Sequence, residues 1–427
     1  MKSKISLIAF TLSLLMVAFI DKPKHKFKNL SSEVIVAWNL IGQETMAGKN
    51  YQPLADYQPL LGSRVNAMMH LAMHDALNAV EPVYETYALK VKDKKADPEV
   101  AAAVAAHTVL IESFPAKKDL LNTKLAEWLT KARSADARKR AVVLGEKAGR
   151  MILELRKKDG ANDNNWMGQI QPSTKPGIYQ LVPPFTFVYG PHWKTMQTFS
   201  LSSYDQFRCP PPPALTSKKY TESFNEVKDF GSKGSKLRTA DQTFYAKFWY
   251  ELSEIGWNRV GRIVTQDQKL DLFNAARLFA LLNMALADAY TAGWDSKFHY
   301  NFWRPYTAIH FADTDENPAT ARDHNWESQE PTPPVHDYPS THSSLGNAGA
   351  SVLAGILGDN ISFTMISGSS DPVNATRFFK SFSQAADENA NSRVMAGIHF
   401  RFSCRAGQDQ GNKIGQWTVQ NYLKPLK

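Results

Sequence analysis

Residues 265–296 read TQDQKLDLFNAARLFALLNMALADAYTAGWDS, a run rich in alanine and leucine with apolar residues at helical spacing. Such a run predicts a helix, and comparable helical runs follow cap signals at Asp97, at Ser134 and at the capping box of Thr239 with Gln242. Stretches that alternate apolar and polar residues are scarce. We therefore expect an all-α protein built from helical bundles.

Two proline-rich coils divide the helical pattern, at residues 172–215 and 312–339. The first predicts a boundary between an N-terminal helical half, residues 30–210, and a C-terminal bundle, residues 211–427. The second is long and predicts an ordered loop that leads into a further element.

Residues 1–22 have the pattern of an export signal. Lys2 and Lys4 precede an apolar run, residues 5–20, that is short for a membrane span. We expect an exported protein, periplasmic or secreted. A small-x-small cleavage pattern is missing near Ala18, so an uncleaved N-terminal membrane anchor stays open.

Composition limits the classes of partner. The chain has 427 residues, 43% of them hydrophobic, and a formal net charge of +9, so it can bury a large core and suits anionic ligands. Its basic residues are scattered and follow no zinc-finger or RNA-binding pattern, so we expect no nucleic-acid partner. Cys209 and Cys404 could form one disulfide or stay as two free thiols. The sequence leaves open whether the chain forms a homo-oligomer.

Two cations stand close together in residues 293–306, GWDSKFHYNFWRPY. Lys297 and Arg304 are seven residues apart with no acid between them. On one unbroken helix they would share a face, roughly 10 Å apart along the axis. Such a pair requires an anion, which either an acid from elsewhere in the fold or a ligand supplies.

A second segment, HDYPSTHSSLGNAGASVLAGILG (336–358), places Ser340, Thr341 and His342 at the start of a predicted helix. Free backbone N–H groups at a helix start bind anions. The Ser340 hydroxyl and the His342 imidazole add a donor and a group that titrates near neutrality. The plainer interpretation is an N-cap serine beside an incidental histidine.

The third segment, NSRVMAGIHFRF (391–402), contains Arg393 and His399. These two side chains converge only if the helix ends between them, and Gly397 is a natural end. The alternative is an exposed arginine and a core histidine. Taken together, the three segments supply three fixed cations, a hydroxyl and two imidazoles, a set that fits a tetrahedral oxyanion such as phosphate or vanadate.

The order Lys-x6-Arg-Pro, Pro-Ser-x-His and Ser-Arg-x5-His resembles the superfamily shared by vanadium-dependent haloperoxidases and type 2 phosphatidic acid phosphatases. The resemblance covers roughly residues 285–415. Trp294 and the stretch RVNAMMHLAMHDALNAV (64–80) favour its bacterial vanadium chloroperoxidase-like branch. It implies an oxyanion site in the C-terminal bundle, with vanadate as the cofactor, or phosphate if the protein is a phosphatase.

The resemblance also implies roles for individual residues. His399 would bind vanadium, and His342 would be the general acid/base. The oxyanion oxygens would be held by Lys297, Arg304, Ser340, Thr341 and Arg393, and Lys297 would also polarise peroxide. The implied reaction is oxidation of halide by hydrogen peroxide. The alternative is an exported acid phosphatase that cleaves phosphate monoesters through a phosphohistidine at His399. A binding protein that has lost activity is the third class.

The sequence departs from the superfamily at three positions. Thr341 stands where glycine is frequent, and Val335, followed by His336, stands where relatives offer an aromatic residue or histidine near the halide. Ser403 stands where many relatives carry an aspartate, which we interpret as the loss of an acid behind His399.

Three further residues have competing interpretations. His70 and His74 have zinc-like spacing, but residue 71 is leucine and a third ligand is missing, so we expect core histidines. We expect Asp288 to orient an arginine or histidine of the site.

Overall fold

The computed structural model describes residues 25–47, 58–368 and 371–426. Within these ranges thirteen α-helices are accompanied by short 3-10 turns and two small β-hairpins, so the all-α prediction is confirmed. The predicted signal or anchor, residues 1–22, lies outside the described residues.

Five helices form the N-terminal part. They are α1 (Glu33–Ala47), α2 (Pro59–Val80), α3 (Pro98–Ser113), α4 (Lys118–Leu129) and α5 (Ala135–Leu155). The predicted caps are confirmed at two helix starts, because the side chain of Asp97 accepts the amide of Val100 and that of Ser134 accepts the amide of Ala137. A two-residue hairpin of β1 (Met167–Gly168) and β2 (Val188–Tyr189) follows.

Eight helices form the C-terminal part. They are α6 (Lys218–Phe230), α7 (Ala240–Phe248), α8 (Ser253–Asp267), α9 (Leu272–Tyr300), α10 (Pro305–His310), α11 (Thr341–Leu357), α12 (Phe382–Met395) and α13 (Arg401–Asn421). The predicted capping box of Thr239 and Gln242 begins α7. Between α11 and α12, β3 (Phe363–Ile366) pairs antiparallel with β4 (Thr376–Phe379), with Phe363 opposite Phe379.

Helix α9 is the central element. It packs against α2, α11 and α13, and almost every residue of its first 26 is buried. It is long and apolar enough to cross a membrane, yet its apolar window lies wholly inside the protein, as in a core helix. One hydrophobic cluster joins Trp38 and Leu71 to Phe279 and Leu353. The division into residues 30–210 and 211–427 stays a prediction.

Lys297 and Arg304 do not share one unbroken helix, so the condition under which they would lie on one face is not met. Helix α9 ends at Tyr300, and Asn301 takes the left-handed conformation with φ 48°. Arg304 is the N-cap of α10, and Pro305 occupies its first turn. The reason is local: proline disfavours helical backbone at the residue before it and lacks the N–H that a continuous helix needs.

The break predicted between Arg393 and His399 is confirmed. Helix α12 ends at Met395, and Gly397 adopts φ 78°. A Cβ at Gly397 would lie 2.3 Å from the carbonyl oxygen of Gly231, so this turn requires glycine. His399 consequently lies in the short connection before α13.

Candidate active site

The ammonium of Lys297 is buried and holds the connection that leads into α11. Its Nζ lies 2.7, 3.1 and 2.6 Å from the carbonyl oxygens of His336, Asp337 and Pro339. Three acceptors match the three donors of a charged ammonium, although burial, with help from Arg304, lowers the pKa of Lys297 well below its usual value. All three donors of the Lys297 ammonium are therefore used by backbone carbonyls of one connection.

Arg304 joins two segments. Its Nε donates to the carbonyl oxygen of Val335 at 2.6 Å, and its Nη1 donates to that of Ile398 at 2.8 Å. The same Nη1 lies 3.1 Å from Nε2 of His399. It also lies 3.5 Å from Nδ1, so the guanidinium contacts the ring beside both nitrogens.

The guanidinium of Arg393 has an N–H donor that no protein acceptor uses in the described part of the chain. Its Nη1 donates to the carbonyl oxygen of Trp249 at 3.1 Å, and its guanidinium carbon lies 5.3 Å from the ring centroid of Tyr250. Its Nε is buried and has no partner in the described part of the chain. Burial lowers the pKa of Arg393 to about 10. A buried cationic donor without an acceptor is suited to an anionic ligand.

His399 has a carboxylate partner that the sequence did not reveal. Its Nδ1 lies 2.8 Å from Oδ1 of Asp337, and both side chains are buried. Burial lowers the pKa of His399 well below its usual value, with Arg304 adding to the shift, and burial raises the pKa of Asp337 to about 7. The interpretation that Ser403 leaves His399 without an acid is therefore wrong, because Asp337 supplies one from another segment.

Ser340 does not cap its helix. Its side chain accepts no amide of α11 and instead accepts a hydrogen bond from the Ser343 hydroxyl at 3.0 Å, so its own proton is free for another acceptor. Ser340 thus occupies the N-cap position, as the plainer interpretation has it, but its hydroxyl does not cap the helix. The first amides of α11, beginning with Thr341, have no side-chain acceptor and present the positive end of the helix.

His342 is oriented by a backbone carbonyl. Its Nε2 lies 2.8 Å from the carbonyl oxygen of Glu251, so Nε2 carries the proton and Nδ1 is the nitrogen left to act as a base. Burial, followed by the charge of Arg393, lowers the pKa of His342 well below its usual value. The side chain of Glu251 is in turn held by Arg259, whose Nη1 is 3.0 Å from both carboxylate oxygens.

Residues 249–251 thus form a fourth segment of the site. The Trp249 carbonyl holds Arg393, the Tyr250 ring packs on the same guanidinium, and the Glu251 carbonyl holds His342. This segment lies between α7 and α8, and its aromatic residues are typical of core packing in a sequence. Two of its contacts use backbone oxygens, which leave no signal in residue types.

The charge of the site is unbalanced. Among the residues that the structure describes, Lys297, Arg304 and Arg393 form no ion pair with a carboxylate, and all three are at most 1% exposed. Asp337 is the one carboxylate that contacts a site histidine, which leaves an excess of positive charge. Together with the unpaired Nε of Arg393 and the free Ser340 proton, this excess fits a tetrahedral oxyanion such as vanadate or phosphate.

Residues 277–427 match the family of the VCPO second helical-bundle domain, a range that contains all three fixed cations and both site histidines. The chain resembles the vanadium chloroperoxidases over this range. The predicted resemblance to bacterial vanadium chloroperoxidase-like proteins is confirmed. Vanadium chloroperoxidase of Curvularia inaequalis is 25% identical over 515 residues, which cover 91% of this chain and 81% of that protein.

Solved structures show the same likeness. A bacterial vanadium-dependent iodoperoxidase superimposes with a TM-score of 0.79 at 25% identity, over 94% of this chain and 99% of its own. The holo form of a bacterial vanadium-dependent chloroperoxidase shares the fold, with a TM-score of 0.72 at 17% identity over 90% of this chain and 97% of its own.

Several residues considered from the sequence lie outside the candidate active site. His70 and His74 are core histidines, as predicted: His70 stacks on Phe279 and bonds Asn39. Asp288 accepts backbone amides from residues 199–201, so its predicted role toward a site arginine or histidine is wrong.

Both cysteines are free and buried. Burial raises the pKa of the thiol to about 12 for Cys209 and to about 11 for Cys404. The two-free-thiol alternative therefore holds, and these pKa values keep both groups in the thiol form at neutral pH.

The neighbours predicted to affect the halide are packed in aromatic surroundings. The His336 ring lies 4.5 Å from those of Tyr179 and Phe298, and its Nδ1 is buried without a partner in the described residues. Val335 is buried, and Trp294 donates its indole N–H to the carbonyl oxygen of Tyr189 at 3.2 Å. The position of a halide stays a prediction.

Proposed function

We propose that this protein is a vanadate-dependent haloperoxidase that oxidises halide with hydrogen peroxide. One observation carries the proposal. Lys297, Arg304 and Arg393 all lie near enough to His399 to lower its pKa, and none of them forms an ion pair with a carboxylate in the described ranges. That arrangement supports an oxyanion beside Nε2 of His399.

Different residues of the site would bind the vanadium and the oxygens of vanadate. Nε2 of His399 is the nitrogen available to bind vanadium, because Nδ1 is engaged with Asp337. Arg304 and Arg393 direct guanidinium donors to the oxygens, and the Ser340 hydroxyl adds a neutral donor. The Thr341 amide and the ammonium of Lys297 complete the set. Vanadate bound here supplies a Lewis-acid centre that activates hydrogen peroxide toward halide.

His342 is the proton-transfer group in this proposal. With Nε2 donating to Glu251, its Nδ1 takes a proton from hydrogen peroxide as the peroxide enters. The lowered pKa of His342 keeps the ring unprotonated at neutral pH, so that Nδ1 has a lone pair that can accept a proton. Lys297 supplies positive charge near the developing negative oxygen.

Export is a separate proposal. It is supported by the two lysines and the apolar run of residues 1–22. Fractionation of cells that express the full chain tests it: we expect the protein outside the cytoplasm, and its retention there contradicts export. Its small-molecule partners are then hydrogen peroxide and halide from the surroundings.

An acid phosphatase is the second candidate. The Asp337–His399 hydrogen bond supports it, because a ring that donates from Nδ1 presents Nε2 as a nucleophile toward phosphorus. His342 would then protonate the leaving alcohol of a phosphate monoester.

Two assays on the purified protein test these candidates. Bromination or iodination of monochlorodimedone is measured with hydrogen peroxide before and after orthovanadate is added, beside phosphate release from p-nitrophenyl phosphate. Halogenation that requires vanadate, with no phosphate release, supports the haloperoxidase. Phosphate release that vanadate inhibits, without halogenation, supports the phosphatase and overturns the first proposal. If the protein shows neither halogenation nor phosphate release, the binding-protein alternative is favoured.

A further inference from the structure

We propose that Asp337 is the positioning residue of His399, and that its carboxylate fixes the ring as the Nδ1–H tautomer so that Nε2 stays open to the oxyanion. The proposal rests on the oxyanion site described above. It does not depend on which reaction the site carries out.

The contact with Asp337 decides between the two tautomers of the His399 ring. Oδ1 of Asp337 lies 2.8 Å from Nδ1 and, as a carboxylate oxygen, accepts its proton. Nη1 of Arg304 lies 3.1 Å from Nε2 and 3.5 Å from Nδ1, so it contacts the ring beside both nitrogens and favours neither tautomer. A proton on Nε2 would leave the lone pair of Nδ1 against a carboxylate oxygen. That contact is repulsive, so the Nδ1–H form is favoured while Asp337 is ionised.

The carboxylate is held in place through its own backbone. The amide of Asp337 donates to the carbonyl oxygen of Phe302 at 3.0 Å. Its carbonyl oxygen accepts from Nζ of Lys297 at 3.1 Å and from the Ser403 hydroxyl at 3.0 Å. Three segments of the chain therefore fix one residue, and its side chain meets the ring without rearrangement.

If Asp337 acted only through its negative charge, the expected effect of its removal on vanadate binding would be the opposite. A carboxylate beside an anion site repels the anion, so removal of its charge alone should strengthen the binding of any oxyanion. Loss of tautomer control should instead weaken binding to vanadate, which uses the lone pair of Nε2. Phosphate, held by charge and hydrogen bonds, does not need that lone pair at equilibrium. The sign of the change for each anion therefore separates the two roles.

The test compares two variants of Asp337 with one control. Asp337→Asn keeps an oxygen that can accept from Nδ1, whereas Asp337→Ala removes the acceptor. Asp315→Ala is the control, because Asp315 is also a buried aspartate of the connection before α11 but accepts from Thr320 and Asn317. Two quantities are measured in each protein: the ¹⁵N shifts of the His399 ring without ligand, and the affinities for orthovanadate and for phosphate by calorimetry.

We expect the Nδ1–H tautomer in the wild type and in Asp337→Asn, and a mixed or Nε2–H ring in Asp337→Ala. Vanadate affinity should fall about 10- to 100-fold in Asp337→Ala, and by about threefold or less in Asp337→Asn, a range typical of residues that orient a metal ligand. Phosphate affinity should stay equal or rise in both variants, which also shows that they are folded.

Two results would overturn the proposal: an unchanged tautomer with unchanged vanadate affinity in Asp337→Ala, or an equal loss of both anions in Asp337→Ala and Asp315→Ala. Failure of the wild type to bind either anion would instead contradict the oxyanion site, while the ring shifts would still decide the tautomer.

Discussion

Nε2 of His342 donates to the carbonyl oxygen of Glu251 at 2.8 Å, and this bond leaves Nδ1 as the basic nitrogen of the ring. His399 meets its partner through the other ring nitrogen, because its Nδ1 lies 2.8 Å from Oδ1 of Asp337. The two site histidines are thus held through opposite ring nitrogens by different partners. In the proposed function, His342 would move a proton and His399 would contact the oxyanion.

Substitution His342→Ala should separate turnover from binding. We expect the rate to fall on the order of 100-fold or more, because a positioned acid/base contributes about that factor. Vanadate affinity should change by about threefold or less. Halogenation kinetics and calorimetry measure the two effects. His107→Ala, at a histidine of α3 bonded to Asn122, is the control and should behave as the wild type.

Substitution His399→Ala should abolish vanadate-dependent turnover and weaken vanadate binding, because it removes the nitrogen that contacts the oxyanion. The comparison with His342→Ala is the informative one. If both alanine variants stay equally active in the halogenation assay, neither role assignment survives.

Arg393→Met tests the donor that has no partner. We expect oxyanion affinity to fall roughly 10- to 100-fold, since a hydrogen bond to a charged group contributes about 1.5–3 kcal/mol. Arg401→Met is the matched control, because Arg401 pairs with Glu226 at 2.7 Å and reaches the surface. Phosphate and vanadate titrations give the affinities. An equal loss in both variants would mean that Arg393 contributes only to folding.

Lys297→Met tests whether the ammonium of Lys297 stabilises the connection before α11. Three backbone carbonyls lose a donor, and each buried unpaired group costs about 1–3 kcal/mol, partly offset because a buried charge is removed. We expect the free energy of unfolding to fall by about 3 kcal/mol in denaturant titrations. Lys131→Met breaks an exposed ion pair with Glu33 and should cost less than about 1 kcal/mol. An equal loss of unfolding free energy in both variants would contradict this stabilising role of Lys297.

Stability should depend on pH through the site histidines. The pKa values of His336, His342 and His399 are lowered, so as pH falls through about 6.5 the unfolded chain binds protons that the native protein does not. Native stability is lost over this range. The pKa values of His70 and His107 are lowered by burial as well, and these two groups act in the same direction. The raised pKa of Asp337, about 7, acts in the opposite direction.

The melting temperature should therefore fall between pH 7.5 and pH 6, and sulfate, which stays a dianion there, should reduce the fall by favouring protonated imidazoles. Calorimetry at both values, with and without sulfate, measures this. A melting temperature that rises as pH falls would show that the histidines do not control stability.

Much of the fold and the choice of site residues could be predicted from the sequence. Helix periodicity and caps gave the all-α class, and Gly397 predicted the turn that brings His399 back toward Arg393. Fixed cations without nearby acids predicted an anion site. These signals are local, or they depend on charge alone, and both kinds can be read from residue types.

The remaining features depend on tertiary contacts. Lys297 and Arg304 would share a face only on one unbroken helix, but the chain breaks between Asn301 and Pro305, and both side chains reach residues 335–339 by different routes. Asp337 gave no signal, because its partner His399 is 62 residues away. The backbone carbonyls that accept hydrogen bonds from the site residues also leave no signal in the amino-acid types.

The most direct measurement is a crystal structure of the protein soaked in orthovanadate. The account predicts tetrahedral or five-coordinate density with vanadium beside Nε2 of His399 and with its oxygens within hydrogen-bond distance of Arg304, Arg393 and the Ser340 hydroxyl. Vanadate bound elsewhere, or the three cations turned toward carboxylates of the protein with no anion between them, would contradict it.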